Sequence, residues 1–294
     1  MSIRRKKTFG ARALPYLMIT PSQIMLFLII IFPAIFTCWL SFQSYTYGKP
    51  IEFVGWGNFD VLFKDPIFWQ ALWHNIIFVN LIVFGELAIA LGIAIFLAGG
   101  VPFQRVMVSI VMAPYAVSTV IAVIMWKNML YPDAGFINYV LQSIHLPQIM
   151  WTTNSTHAFA TLVLLAIWLR APFSFLILYN AVICIPSPIL EAAQIDGASR
   201  PQIIRFIIFP LILPGILIAM TFRYIFGFRT FDIVWIMTKG GPIYATELLS
   251  TYLYRTAFSY FEFGVASAVA LVMVIVVFLI SVYYLKIMYK KMFA

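Results

Sequence analysis

Charge is scarce in this chain. Asp, Glu, Lys and Arg make up only 10% of its 294 residues, against 63% that are apolar. A soluble globular chain is nearer about a quarter charged and about half apolar. So many apolar side chains could not all be hidden from water in a body of this size, and a second apolar solvent is required. Lipid is that solvent. The same scarcity excludes a soluble enzyme and a disordered tail. Cysteine is nearly absent too: Cys38 and Cys184 lie in apolar stretches and are expected near opposite faces of a bilayer. That excludes a disulfide-stapled secreted module and a mutual bridge, and reads both as inert packing residues. His74, His145 and His157 stand isolated near expected loops, without metal-ligand spacing. Polar residues are too few to converge into a nucleophilic triad, so neither a catalytic constellation nor a metal site is expected. No internal repeat, low-complexity run or soluble domain is visible. The net charge of +9 would suit a nucleic-acid binder, but the basic residues fall at the edges of apolar runs, and no nucleic-acid partner is expected.

What the chain does have is long apolar runs. A helix needs about 20 mostly apolar residues to cross roughly 30 Å of hydrocarbon. Six stretches qualify: residues 23–42 (with 14–19 as an apolar lead-in), 75–98, 106–125, 158–181, 206–226 and 263–286. The runs are continuous rather than alternating, which argues against a barrel, and backbone groups in lipid must be satisfied internally. The sequence therefore predicts an all-α membrane protein of six transmembrane helices. Residues 1–22 read as a basic cytoplasmic segment and 23–294 as the transmembrane domain. The start resembles a signal peptide, but its apolar stretch is too long and no small-residue cleavage site follows, so it reads as a retained span.

Orientation follows from Lys and Arg. With the N-terminus inside, the inner segments hold Arg4, Arg5, Lys6, Lys7, Arg12, Arg105, Arg200, Arg205, Lys286, Lys290 and Lys291. The outer ones hold Lys49, Lys64, Lys127, Arg223, Arg229, Lys239 and Arg255. Both ends are strongly basic and six spans put them on one side, so both termini are expected in the cytoplasm. The long outer loops are 45–73 and 128–157, and Trp56, Trp69, Trp73, Trp126 and Trp151 fall near the expected outer interface, where amphipathic rings are favoured.

One inner segment, residues 187–202, reads as two short helices with a break. Ser187 before Pro188 is a start signal, Glu191 sits early where the helix dipole favours an anion, and Gly197 suits the left-handed residue that ends a helix. Ser199 and Gln202 have capping-box spacing, with Pro201 in the first turn of the second helix. Physics alone admits two readings: a well-capped hairpin without a partner, or a rigid knob that docks into another protein.

Glu191-Ala192-Ala193, then Gly197, then Ile207, Phe209 and Pro210 resemble the EAA motif of binding-protein-dependent ABC importer permeases. Phe209 stands where that motif usually has Leu. The run through Asp196, Gly197 and Ala198, with Pro210 and Pro214, is similar to the carbohydrate branch, the maltose-type and glycerol-phosphate-type permeases. Val54-Gly55 with Asn58-Phe59, Asp65-Pro66 with Phe68-Trp69, Tyr131-Pro132-Asp133 with Gly135, Ile137 and Asn138, and Thr238 with Gly240-Gly241-Pro242 match the same branch in order.

The resemblance implies a cytoplasmic coupling loop of about residues 187–209 between spans four and five, in which Glu191, Ala192, Ala193, Asp196, Gly197, Ile207 and Pro210 meet a cytoplasmic ABC ATPase dimer. It implies a bacterial inner-membrane subunit that moves a carbohydrate inward by alternating access. The other expected partners are a second, different permease and an extracytoplasmic solute-binding protein. The chain has no G-x-x-x-x-G-K-[ST] loop, so no cofactor is expected on it and ATP belongs to the partner subunits. Arg229 and Thr230 occupy positions that look substrate-facing in related permeases, where amides are common. An Arg there raises glycerol phosphate or an acidic sugar as the alternative cargo, set against an interfacial Arg snorkelling to headgroups. Glu86 and Arg170 lie within spans, where a charge costs about 2.5–3.5 kcal/mol or more. They line or gate the path, or else form a buried pair or an interfacial Arg beside Pro172. A stand-alone secondary transporter would show paired broken helices in two halves, and an intramembrane enzyme clustered acidic residues or histidines; neither pattern is seen.

Overall fold

The computed structural model of the protein describes residues 9–293, apart from the side chains of 9–14, 288 and 291–293. The basic cluster Arg4, Arg5, Lys6 and Lys7 lies outside the described residues. In chain order, α1 (Phe9–Leu26) runs through a π-helical turn (Phe27–Ile31) into α2 (Phe32–Leu40). A two-stranded hairpin, β1 (Gln43–Ser44) and β2 (Glu52–Phe53), precedes α3 (Gly57–Lys64) and the long α4 (Pro66–Ala98). Then come α5 (Gln104–Ala116), α6 (Thr119–Met129), α7 (Phe136–Ser143), α8 (Ser155–Ile183), α9 (Ser187–Ile195) and α10 (Arg200–Ile203). A second π-helical turn (Ile204–Ile208) leads into α11 (Phe209–Phe228), followed by α12 (Asp232–Met237), α13 (Leu249–Phe258) and α14 (Phe263–Phe293).

Among the described residues, five helices are long and apolar enough to cross a membrane: Pro15–Leu40, Pro66–Ala98, Ser155–Ile183, Arg200–Phe228 and Phe263–Ile287. The third expected span is not one helix. It is α5 and α6, bent by 93° at their junction, and the count reaches six when the pair is taken as one span. Pro114 in the last turn of α5 has no N–H to continue the ladder, and Val117 and Ser118 are extended, with ψ of 136° and 131°. The other limits differ for local reasons. The first apolar helix already includes Pro15, because Tyr16, Leu17 and Met18 continue its apolar surface into the segment expected as a tail. The second begins at Pro66, well before the hydropathy rises. Asp65 caps it, accepting from the Ile67 N–H at 2.8 Å. His74, expected by a loop, therefore sits within α4. Cys38 and Cys184 are free and exposed rather than packed inside.

Both π-helical turns have the same cause. Each ends two residues before a proline, Pro33 and Pro210, whose ring would crowd the carbonyl of the preceding turn. Widening the turn relieves it: the Phe32 N–H reaches Phe27 and the Phe209 N–H reaches Ile204.

The chain forms two compact units. Among the described residues, the smaller holds 9–64 and 256–271. Its hairpin pairs Gln43 with Phe53 and Ser44 with Glu52. Buried Asn58 pins the chain before it, donating to the Ser41 and Gln43 carbonyls at 2.8 Å each. The larger unit holds residues 65–255 and 272–293. There α4 packs along α8, and α11 lies against both. Lipid offers no hydrophobic drive between helices, so close packing must supply it, and small side chains such as Ala90, Ala94, Ala166 and Ala219 are fully buried in these contacts. Asn138 ties the loop after α6, donating to Pro132 and Ile149 carbonyls and accepting from the Ile149 N–H and the Trp151 indole.

Two glycines mark close helix approaches of unlike tolerance. A methyl added at Gly85 would meet only the flexible Ile167 Cδ1, at 2.6 Å. One at Gly227 would meet Val79 Cγ1 at 2.9 Å and Cγ2 at 3.2 Å, on a β-branched side chain that cannot turn aside. Gly227→Ala is expected to lower stability by about 1–2 kcal/mol, whereas Gly85→Ala leaves it unchanged or raises it by up to about 1 kcal/mol through helix propensity. Thermal unfolding of the purified variants in detergent reads the difference, and equal effects would contradict this packing.

Candidate functional site

The larger unit buries a charged cluster contributed by three helices. Glu86 on α4 is fully buried, and its Oε1 lies 2.7 Å from Nε of Arg223 on α11. Ser174 on α8 donates to the same carboxylate oxygen at 3.0 Å and accepts from Arg223 Nε at 3.2 Å. Arg223 also donates to the carbonyl of Arg170 and sits 4.6 Å above the ring of Phe173. Two unlike charges in lipid thus share one pocket with a hydroxyl, a carbonyl and an aromatic face. Burying such a pair is costly, and the hydrogen bonds around it offset part of that cost. Glu86 Oε2 has no partner among the described residues.

Arg223, expected among the outer cations, is buried within α11, and it rather than Arg170 pairs with Glu86. Hydropathy counts charges one by one and does not register that two of them cancel. Arg170 instead directs its Nη1 to the Phe226 carbonyl at a long 3.4 Å.

Beside this cluster lies a cavity of about 420 Å³, lined by Pro114, Tyr115, Val117, Thr119, Leu169, Arg170, Phe173, Arg223, Phe226 and Arg229. The α5–α6 break forms one wall. Irregular backbone at membrane depth is tolerated where it lines a cavity or is covered by protein. The broken ladder and the cavity therefore explain each other. Pro114 followed by Ser118-Thr119, a helix stop and then a restart, is the signal in the sequence that marks this wall. Of the expected path residues, Arg170 and Arg229 line the cavity, and Glu86 holds the third arginine from behind. Thr230 does not line it: it is buried, its carbonyl accepts from Ser250 Oγ, and its own hydroxyl finds no partner among the described residues. The chain turns between the two residues, because the Thr230 N–H closes back on the Gly227 carbonyl at 3.1 Å.

The second candidate site is the segment from α9 to α10. Pro186 precedes α9, so Ser187 is the first helical residue and makes no cap bond, contrary to the expected cap. Gly197 is left-handed at φ +78° and ends the helix, and the Ala198 N–H returns to the Ala193 carbonyl at 3.0 Å. Gln202 Oε1 accepts from both the N–H and the hydroxyl of Ser199 at 2.8 Å. Ala193 is buried against the helix core, while Glu191, Ala192, Asp196 and Gly197 are exposed. Ile207 packs on the core, and Pro210 follows the π-helical turn that opens α11. Ile195 is 86% exposed and Phe206 67%, placing apolar surface beside exposed charge.

Residues 88–293 match the family of binding-protein-dependent transport system inner membrane components. The chain belongs to that family. It is similar to the sulfoquinovosyl glycerol transport system permease protein SmoG of Agrobacterium fabrum, at 34% identity over 96% of this chain and 92% of that one. It is also similar to the trehalose/maltose transport system permease protein MalF of Thermococcus litoralis, at 30% identity over 97% of both. A solved bacterial ABC transporter involved in the import of the acidic polysaccharide alginate has the same fold, with a TM-score of 0.85 at 23% identity over 96% of this chain and 97% of the other. The resemblance read from Glu191 to Pro210 therefore holds at the level of the family, and the named relatives are transport permeases.

Removing one member of a buried pair leaves the other charge uncompensated in this permease. Arg223→Met is expected to cost about 3–5 kcal/mol of stability, and Glu86→Leu combined with Arg223→Met to recover most of it. Unfolding of both variants in detergent measures the coupling. A double variant no more stable than the single would contradict it.

Proposed function

We propose that this chain is one permease subunit of an ATP-driven importer that moves a carbohydrate into the cytoplasm by alternating access. The observation that carries the reading is that the EAA-like segment is an exposed turn, ended by left-handed Gly197 and restarted by the Ser199–Gln202 capping box, which leads through α10 and the π-helical turn into α11. In this reading, separate ATPase subunits receive α9 in a groove. The small side chains of Ala192 and Ala193 allow close approach, and Glu191 and Asp196 supply polar contacts. The left-handed Gly197 sets the angle between α9 and α10. The helix α11 acts as the rod. Its 20 residues span about 30 Å, from the coupling segment to Arg223 and onward to Arg229 at the cavity. Tilting the knob moves the cavity wall, which is the rigid-body rocking that two-state transport requires.

The remaining parts are a second, different permease that completes the path, an external solute-binding protein that delivers cargo, and a topology with both termini in the cytoplasm. Relatives named for sulfoquinovosyl glycerol, for trehalose and maltose, and for sn-glycerol-3-phosphate support a sugar or polyol-derived cargo. A stand-alone secondary transporter is disfavoured, because α5 with α6 is the one bent pair of apolar helices among the described residues, with no counterpart in a second half.

Proline fixes φ near −65° and cannot occupy the +78° of Gly197. Gly197→Pro is expected to leave membrane insertion intact while lowering ATP-driven uptake at least about tenfold. Normal uptake by that variant would remove the coupling role. Topology is checked separately. In a background lacking Cys38 and Cys184, Ile195→Cys should react with an impermeant maleimide in inside-out vesicles and not in right-side-out ones. Labelling only from outside would overturn the orientation.

A further inference from the structure

The cavity between the α5–α6 break, α8 and the end of α11 carries a charge pattern more specific than a sugar site requires. Three guanidinium groups, from Arg170, Arg223 and Arg229, reach its wall. Arg223 is neutralised and fixed in place by Glu86, with Ser174 shared between them. Arg170 has one long bond to a carbonyl, and Asp232 is the other carboxylate within its electrostatic reach. Arg229 is exposed and takes part in no ion pair among the described residues. Set against Glu86 and Asp232, the three arginines leave the wall with an excess of positive charge.

The hydrogen-bonding inventory points the same way. A neutral sugar presents hydroxyls that both donate and accept, and a site for it needs acceptors. Guanidinium has five N–H donors and no acceptor. Besides the arginines, the polar side chains on this wall are the hydroxyls of Tyr115 and Thr119. A wall dominated by donors fits a group made only of acceptors: a carboxylate, sulfonate or phosphate, which two forked guanidinium groups can grip from two sides. The rings of Tyr115, Phe173 and Phe226 supply apolar faces for the carbon skeleton of the same molecule.

We propose that Arg170 and Arg229 form a subsite for the anionic group of a charged carbohydrate, with Arg223, held by Glu86, as the positioning residue that keeps the wall in shape. This deepens the import reading and rests on it. Asp232 then tempers the subsite, leaving attraction strong enough to admit the anion and weak enough to release it.

The test uses the full importer, permease pair and ATPases together, in phosphatidylcholine nanodiscs without the external binding protein, so that the receptor does not select. The probes are glucuronate, 6-deoxy-6-sulfoglucose and glucose 6-phosphate, each titrated against glucose. At least one anionic probe is expected to bind about tenfold more tightly than glucose, or better. Arg229→Gln should remove most of that preference and Arg229→Lys retain much of it. Asp232→Asn should increase it, which a purely structural role would not do. Lys64→Gln, an exposed cation paired with Asp60, should leave it unchanged. Equal binding of glucose and all three anions overturns the subsite, as does a preference indifferent to Arg229→Gln. Loss of probe binding when phosphatidylglycerol is added assigns the arginines to lipid headgroups and also overturns it. Proteoliposomes with the binding protein restored separate the two levels. ATP-driven uptake of neutral carbohydrate with no anion preference ends the subsite and leaves the import reading standing. Absence of ATP-driven uptake of any carbohydrate ends both.

Discussion

A carboxylate and a guanidinium buried among lipid-embedded helices must hold each other, and everything around them is arranged to let them. Glu86 and Arg223 lie 2.7 Å apart, with Ser174 bonded to both. Each comes from a different long helix, so the pair joins α4, α8 and α11 by contacts that a dry interior strengthens. Hydrophobic collapse cannot do this inside a bilayer, where lipid tails are as apolar as leucine. Close approach at Gly227 and the buried alanines brings the helices near enough, and the ion pair sets their register.

That register gives α11 its mechanical sense. One end of the helix carries the π-helical turn and the Gly197 elbow, the other Arg223 and the turn to Arg229. Force applied at the exposed segment has a short path to the cavity: along one helix and into a polar cluster shared with two others. The bent α5–α6 pair completes the wall on the far side, where the chain gives up helical hydrogen bonds in exchange for an opening that can receive something polar. In the proposed transport cycle, a rigid rod, a fixed charge cluster and one irregular wall are the parts that move between two positions without unfolding.

Much of this was legible in the sequence. Five long helices follow from runs of apolar residues, because lipid penalises any other use of such runs. The elbow at residues 187–202 follows from Pro188, Gly197, Ser199 and Gln202, whose backbone preferences act locally and survive any tertiary context. Less legible was whatever depends on two distant residues meeting. Glu86 and Arg223 are separated by most of the bundle in sequence, and nothing in their spacing says which arginine answers the carboxylate. Arg170 lies within a span as Glu86 does, yet the structure turns its guanidinium to the Phe226 carbonyl. The α5–α6 bend was hidden because average hydropathy stays high across Pro114 and Ser118 while the backbone breaks. Asp65 shows the converse: a cap starts α4 where hydropathy is still low.

In the proposed cycle the Glu86–Arg223 pair stays closed while the assembly around it changes state. Structures of the assembled complex without nucleotide and with a non-hydrolysable ATP analogue test it directly. Carboxylate and guanidinium are expected within salt-bridge distance in both states, with α4, α8 and the end of α11 superposing as one block. A structure in which the pair has parted in either state would contradict it.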